Sequence, residues 1–204
     1  MKVTDVKHGY RGPKNASFDY IKKELLALLE NARREGVVDE PANKYLDLVN
    51  AHPDYVTSSS CYGRIILIDL PDNTKKNSEF LWKRHSTVDA EDAWAALEKS
   101  GGRFVWLKAD PLILHVSCRS IGAANELLKI KGRAGMKRGG IFSIADNRLQ
   151  AELEGTYRME VPVKKGGETL VDKEYFSLLI GQANQKFEKN AAMWERFASE
   201  FRKA

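Results

Sequence analysis

A chain of 204 residues, 43% hydrophobic and 30% charged, carries enough apolar side chains for one substantial core, which excludes disordered and low-complexity classes. No run approaches the roughly 20 apolar residues that span a bilayer, and the N-terminal stretch lacks the apolar core of a secretory leader. Two cysteines, Cys61 and Cys118, are too few for a disulfide framework, so a reducing cytosol is expected, and the formal charge of +5 favours a polyanionic partner such as nucleic acid.

Ser17 has the character of an N-cap, and Phe18, Ile21, Leu25, Leu28, Leu29 and Ala32 recur after it at helical spacing until Gly36. Asp39 and Pro41 open a second helix carried by Tyr45, Leu46 and Val49, which His52-Pro53 breaks. Residues 65–68 are apolar without alternation, the pattern of a strand covered on both faces. Residues 71–78 read as a loop, and FLWKRHSTV as another strand. Asp89 caps a short helix through Trp94 and Leu97, closed by Ser100-Gly101-Gly102. RFVWLKA and PLILHVSC follow as strands, and Ser120 caps a helix through Ala123, Leu127 and Leu128. GIFSIA, RLQAELE and RMEVPV are three further short strands. A long closing helix begins near Asp172, with Phe176, Ile180, Ala183, Phe187, Trp194, Phe197 and Phe201 along one stripe.

Helices interrupt the strands without strict alternation, so the expected class is α+β, a single domain over residues 1–204 with a mixed β-sheet covered by helices. Residues 1–16, with Lys2, Lys7, Arg11 and Lys14, read as a flexible basic tail. A strand–helix–strand pattern around Asp89 echoes weakly around Ser120, too faintly to count as a repeat. A Rossmann-type cofactor site needs a glycine-rich turn directly after an early strand, and this sequence has none.

The most informative segment is Thr57-Ser58-Ser59-Ser60-Cys61-Tyr62-Gly63-Arg64. Small hydroxyl side chains and a glycine allow a ligand close to the backbone, and an arginine offers a planar fork for carboxylate or phosphate. The segment is equally readable as a polar strand in which Cys61 is a small buried residue. No histidine adjoins Cys61 in sequence to activate its thiol. His85 and His115 lie in predicted strands, as satisfied structural residues or as bases near neutral pH. His115 and Cys118 are three residues apart, hence on opposite faces of a regular strand, and no metal site is expected. In KIKGRAGMKRGG the cations Lys129, Lys131, Arg133, Lys137 and Arg138 fall among glycines. A solvated helix end explains the charges but not the glycines, and a mobile basic loop suits contact with an RNA backbone.

T-S-S-S-C-x-G-R-I followed by an apolar strand resembles the signature of the wybutosine-synthesising tRNA methyltransferase family, the third enzyme of that pathway. The likeness continues in order through Val38-Asp39-Glu40, Leu112-Ile113-Leu114-His115-Val116 with Cys118-Arg119, and Gly135-Met136-Lys137-Arg138-Gly139-Gly140-Ile141. Met159-Glu160-Val161-Pro162-Val163 and Ala183-Asn184-Gln185-Lys186 complete it, so that residues 17–190 are covered. Departures are Gly139-Gly140 in place of Ser-Gly, Thr57 in place of serine, and Trp82-Lys83-Arg84-His85, which only approximates a Lys-Trp-His pattern.

The resemblance implies S-adenosylmethionine as methyl donor and a fold that is not the Rossmann sheet. The implied acceptor is the N4 ring nitrogen of a 4-demethylwyosine-type base, beside the anticodon of tRNA-Phe. In archaeal-type members, which this chain resembles in ending soon after its last helix, that base carries an aminocarboxypropyl chain. Carried onto this sequence, the resemblance places Ser59, Ser60, Cys61, Gly63 and Arg64 in the cofactor and base pocket, with His85 and His115 as candidate bases. Lys129, Lys131, Arg133, Lys137, Arg138, the N-terminal lysines and Arg119 are the expected grip on tRNA phosphates. The competing expectation is a non-catalytic protein that binds structured RNA.

Overall fold

Short-range signals place the helices. In the computed structural model, which describes residues 13, 15–71, 77–145 and 148–204, Ser17 Oγ accepts the Tyr20 amide at 3.2 Å and opens α1 (Phe18–Arg34). Its buried stripe is Ile21, Leu25 and Ala32, while Leu28 is 37% exposed. Gly36, at φ +66°, takes the left-handed conformation that ends it. A 3-10 turn (Glu40–Ala42) leads into α2 (Asn43–Ala51). Lys2, Lys7, Arg11 and Lys14 of the basic tail lie outside the described residues. Ala16, within the stretch read as tail, packs against Ile21, Leu25 and Val56.

The chain divides into two compact units. The first comprises the residues up to Tyr62, Leu112–Thr156 and Ala192–Ala204. Its sheet contains β1 (Tyr55–Cys61), β5 (Ile113–Cys118), β6 (Ile141–Ala145) and β7 (Arg148–Glu154), in the order β1-β5-β7-β6. Leu114, Val116, Cys118, Ala151 and Leu153 are buried on one face of that sheet. There they meet Ala124, Leu127 and Ile130 of α4 (Ile121–Arg133), and Tyr55 Oη donates to the Ala123 carbonyl at 2.9 Å. α1 and α2 pack on β1.

The second unit comprises Gly63–Pro111 and Tyr157–Ala191. Its sheet contains β2 (Arg64–Asp69), β3 (Glu79–Arg84), β4 (Phe104–Asp110), β8 (Met159–Lys165) and β9 (Glu168–Thr169), in the order β3-β2-β4-β8-β9. Residues 65–68 are buried on both faces, as their unbroken apolar run requires. Asp89 caps α3 (Ala90–Lys99) by accepting the Glu91 and Asp92 amides. Lys164, buried, donates its ammonium to the carbonyls of Leu97 and Ser100, at 3.0 and 2.7 Å, and so closes the other end of the helix. The long α5 (Lys173–Phe201) carries its stripe through both units, with Phe176, Ile180, Ala183 and Phe187 in the second and Trp194, Phe197 and Phe201 in the first.

The class is α+β and the layout is not Rossmann. The expected single mixed sheet, however, is two sheets in which every described pairing is antiparallel. The cause lies in two connections. α3 joins β3 to β4, which run in the same direction but with β2 between them; α4 joins β5 to β6 with β7 between them. Each helix therefore links parallel strands that never share hydrogen bonds. These two connections are the structural content of the echo around Asp89 and Ser120. Their intervening strands occupy different places in the chain order, so they do not form a repeat. Among the described residues, no helix is long and apolar enough to cross a membrane.

Candidate functional site

The run of small hydroxyl residues is a strand with a bulge. Register between β1 and β5 slips between Thr57 and Ser59, leaving Ser58 as the extra residue. A bulge breaks the ladder locally, and Asn50 of α2 compensates. Its Oδ1 accepts the Thr57 amide at 2.8 Å and its Nδ2 donates to Thr57 Oγ1 at 3.1 Å. The slip brings Ser59 opposite His115, which in turn faces Glu152 on β7.

One row of side chains thus crosses three strands. Ser59 Oγ lies 2.8 Å from His115 Nδ1, and His115 Nε2 lies 2.8 Å from Glu152 Oε2. An ionised Glu152 accepts the Nε2 proton, leaving the Nδ1 lone pair to accept from the Ser59 hydroxyl. Hydroxyl, imidazole and carboxylate form one hydrogen-bonded chain through which a proton can move. The imidazole is 20% exposed and the carboxylate 33%, so both reach solvent. A second row fixes the bulge beneath it. Ser58 Oγ donates to Gln150 Oε1 at 3.1 Å, and Gln150 Nε2 donates to the buried Ser117 hydroxyl.

Phe142 completes this face. The β6–β7 register slips between Ile141 and Ser143, and the extra residue Phe142 stands with its ring 5.0 Å from the His115 ring at 48°. It remains 56% exposed. Neither Glu152 nor Phe142 is distinguishable in the sequence from an ordinary strand residue, because only strand register joins them to His115.

The expected pocket residues divide. Ser59 and Cys61 share the His115 face, whereas alternation sets Ser60 on the opposite face, paired with Leu114. Cys61 is half-buried and outside any disulfide. Gly63, at φ +106°, and Arg64 belong to the second unit. There Arg64 Nε donates to Asp110 Oδ2 at 2.8 Å and its guanidinium lies 4.9 Å from the Phe80 ring. His85 also belongs to the second unit, just beyond the end of β3 rather than inside a strand, with Nδ1 2.9 Å from the Gly63 carbonyl oxygen. Cys118 lies on the face of β5 opposite His115, where burial pushes its thiol up to about 12. Among the described residues, no three His, Cys, Asp or Glu side chains are grouped to hold a metal ion.

The basic run separates in the same way. Lys131 is buried and donates to the carbonyls of Met136, Arg138 and Gly139, so its ammonium ties down the loop instead of meeting a phosphate. Gly140 accepts the Glu152 amide at 2.8 Å, and Arg138 accepts that of Glu154 at 3.3 Å. Lys129 pairs with Glu126 at 3.2 Å and Arg133 with Glu200 at 3.0 Å, both exposed. Lys137 and Arg138 are exposed and make no ion pair among the described residues. Arg119, 37% exposed, pairs with Asp19 at 2.7 Å and with Asp54 at 2.8 Å.

Known proteins share both sequence and fold with this chain. The family profile described as methyltransferase TYW3 matches residues 20–203. The tRNA(Phe) 7-((3-amino-3-carboxypropyl)-4-demethylwyosine(37)-N(4))-methyltransferase of Methanocaldococcus jannaschii is 34% identical over 181 residues, 87% of this chain and 93% of the relative. The protein of the same description from Archaeoglobus fulgidus is 37% identical over 173 residues, covering 84% and 87%. The solved structure of the PH1069 protein from Pyrococcus horikoshii superposes with a TM-score of 0.88 at 31% identity, covering 92% of this chain and 97% of that one. With a profile match across nearly its whole length and a shared fold, the chain belongs to the methyltransferase TYW3 family.

Proposed function

We propose that this protein methylates the N4 ring nitrogen of a 4-demethylwyosine-type base, bearing an aminocarboxypropyl chain, beside the anticodon of tRNA-Phe in the cytosol. The proposed methyl donor is S-adenosylmethionine. The observation that carries the reading is the Ser59–His115–Glu152 chain, a proton-accepting device on an open sheet face of a methyltransferase-family protein.

When bound, S-adenosylmethionine supplies an electrophilic methyl group on a sulfonium, so the protein's tasks are alignment and removal of a proton. The Glu152 carboxylate fits such a cation, offering it opposite charge on the sheet face that carries Ser59. As the ring nitrogen sheds its proton, Ser59 Oγ takes it and passes its own hydroxyl proton to His115 Nδ1. Glu152 stabilises the imidazolium that results. Of the two histidines expected as bases, His115 has the partner set for this role, whereas His85 has Nδ1 held by a backbone carbonyl. Lys137, Arg138 and the N-terminal lysines are the proposed contacts to the anticodon arm.

The test is direct. Purified protein is incubated with labelled S-adenosylmethionine and tRNA-Phe carrying the demethylated base, and the nucleosides are separated by mass spectrometry. A mass increase of one methyl group on that nucleoside is the expected outcome. Tight tRNA binding with no binding of S-adenosylmethionine would instead mark a non-catalytic RNA-binding protein.

A further inference from the structure

Phe142 is the large aromatic side chain that the proton-relay chemistry leaves unused. Its ring is 56% exposed although it belongs to a β-strand, beside the buried Leu149, Gln150 and Ala151 of β7. Exposing most of a phenyl ring forgoes hydrophobic stabilisation. The backbone goes further and devotes a bulge to its placement: the register slip between Ile141 and Ser143 aims Phe142 at His115. One side of the ring meets the imidazole at 5.0 Å, and the exposed remainder faces outward on the sheet face that carries Ser59 and Glu152.

We infer that Phe142 is a stacking platform for the acceptor base, holding the flat ring beside the Ser59–His115 hydrogen bond. The inference rests on the tRNA-base reading above and deepens it by naming the residue that positions the ring. A base can be presented to a side chain only after it leaves its neighbours in the loop, and a ring splayed out of an RNA stack recovers that loss on an aromatic side chain. A base of three fused rings gains more from such a surface than a pyrimidine does. Phe142 makes no hydrogen bond, so it constrains the plane of the base and leaves its edge to Ser59. Its role is positioning: the proton passes through Ser59 and His115.

A simpler role for the same ring is to shield the His115–Glu152 hydrogen bond from water. The two roles separate with RNA that lacks the base. Two anticodon stem–loop oligonucleotides are compared, one carrying the demethylated tricyclic nucleoside and one an abasic site at that position. Their affinities are measured for the parent protein, Phe142→Ala and Phe142→Tyr, and methyl transfer is followed in parallel. Phe142→Ala is expected to bind the base-bearing oligonucleotide roughly tenfold more weakly, the scale of one stacked base, and the abasic one as the parent does. Phe142→Tyr keeps the aromatic face and restores the parent's preference. Because Phe142 is exposed, the alanine variant is expected to keep the parent's melting temperature. Equal weakening toward both oligonucleotides, or none toward either, overturns the stacking role while the parent's methyl transfer stands. A parent that transfers no methyl group to the base-bearing RNA overturns the functional reading itself, and the inference with it.

Discussion

Gly139 lies against the main chain of Glu152 so closely that a β-carbon on it would stand 2.2 Å from the Glu152 carbonyl oxygen, and its φ of +83° is one that other residues rarely adopt. Two requirements for glycine therefore meet at the residue that anchors the imidazole of His115. Gly139→Ala is expected to lower stability by about 2–4 kcal/mol, combining left-handed strain with the forced shift of β7. Gly166, at φ +60° with nothing within 4 Å of the built β-carbon, supplies the control, and its alanine variant should lose only about 1 kcal/mol. Denaturant midpoints at unchanged slope measure both. Equal losses would show that the approach to Glu152 is not tight.

The proton relay predicts graded losses of rate. His115→Ala removes the acceptor and should slow methyl transfer by about 100- to 10,000-fold in single turnover, with donor affinity close to the parent's. Glu152→Gln keeps the shape and an acceptor oxygen but loses the charge that stabilises imidazolium, so a smaller loss, roughly tenfold, is expected. A His115→Ala protein that transfers methyl groups at the parent's rate removes the relay from the reaction.

Cations of the basic run should behave as two classes. Lys131→Met leaves the carbonyls of Met136, Arg138 and Gly139 without their buried donor, at about 1–3 kcal/mol of stability. Lys137→Gln with Arg138→Gln should change stability by about 0.5 kcal/mol at most. That pair should instead flatten the dependence of tRNA affinity on salt, by about 0.7–0.9 in log–log slope for each phosphate no longer neutralised. A parent-like salt dependence in the double variant would show that these side chains touch no phosphate.

What could be read from the sequence follows the range of the interaction. The caps Ser17, Asp89 and Ser120 act within three residues, and all three stand where sequence places them. The unbroken apolar run at residues 65–68 likewise announces a strand buried on both faces. Register is another matter. Ser59, His115 and Glu152 are separated by 56 and 37 residues, and only the slip at Ser58 brings the first opposite the second. Adjacency in the chain groups Ser60 with Ser59, and the strand's alternation parts them. Lys131 carries a charge and so reads as surface, yet its ammonium is satisfied by three backbone carbonyls that no local pattern reveals.

Alkaline pH should destabilise the fold through its tyrosines. Burial raises the phenols of Tyr45, Tyr55 and Tyr62, Tyr55 to about 12, and the hydrogen bond from Tyr45 to Glu195 at 2.8 Å raises Tyr45 further. A raised native value means that the folded chain keeps protons the unfolded chain has released. The stabilisation is therefore complete below about pH 10, the unfolded value, and is lost as pH rises toward 12 and beyond. Each such tyrosine contributes a slope of about 1.4 kcal/mol per pH unit inside its window. Phenolate absorbance and circular dichroism followed together should show these phenols ionising only as the fold is lost. Ionisation of all the tyrosines near pH 10 in a folded chain would contradict their burial.

The two thiols should differ as their burial does. Cys118 is 2% exposed and burial holds its thiol up near 12, so a thiol reagent at neutral pH should leave it unmodified until the chain unfolds. Cys61 is half-buried on the His115 face, and it should be the one thiol that reacts in the folded protein. Reactivity does not make it a participant. In-line transfer from a sulfonium to a ring nitrogen needs no covalent enzyme intermediate, and the Ser59–His115 bond already supplies the proton acceptor. Cys61→Ser, nearly constant in size, should therefore retain methyl transfer within roughly tenfold, about 1.4 kcal/mol of barrier. Cys61→Leu adds bulk beside Ile113 and should block donor binding by overfilling the face. Loss of several orders of magnitude in Cys61→Ser, with donor and tRNA affinities preserved, would place the thiol itself in the reaction.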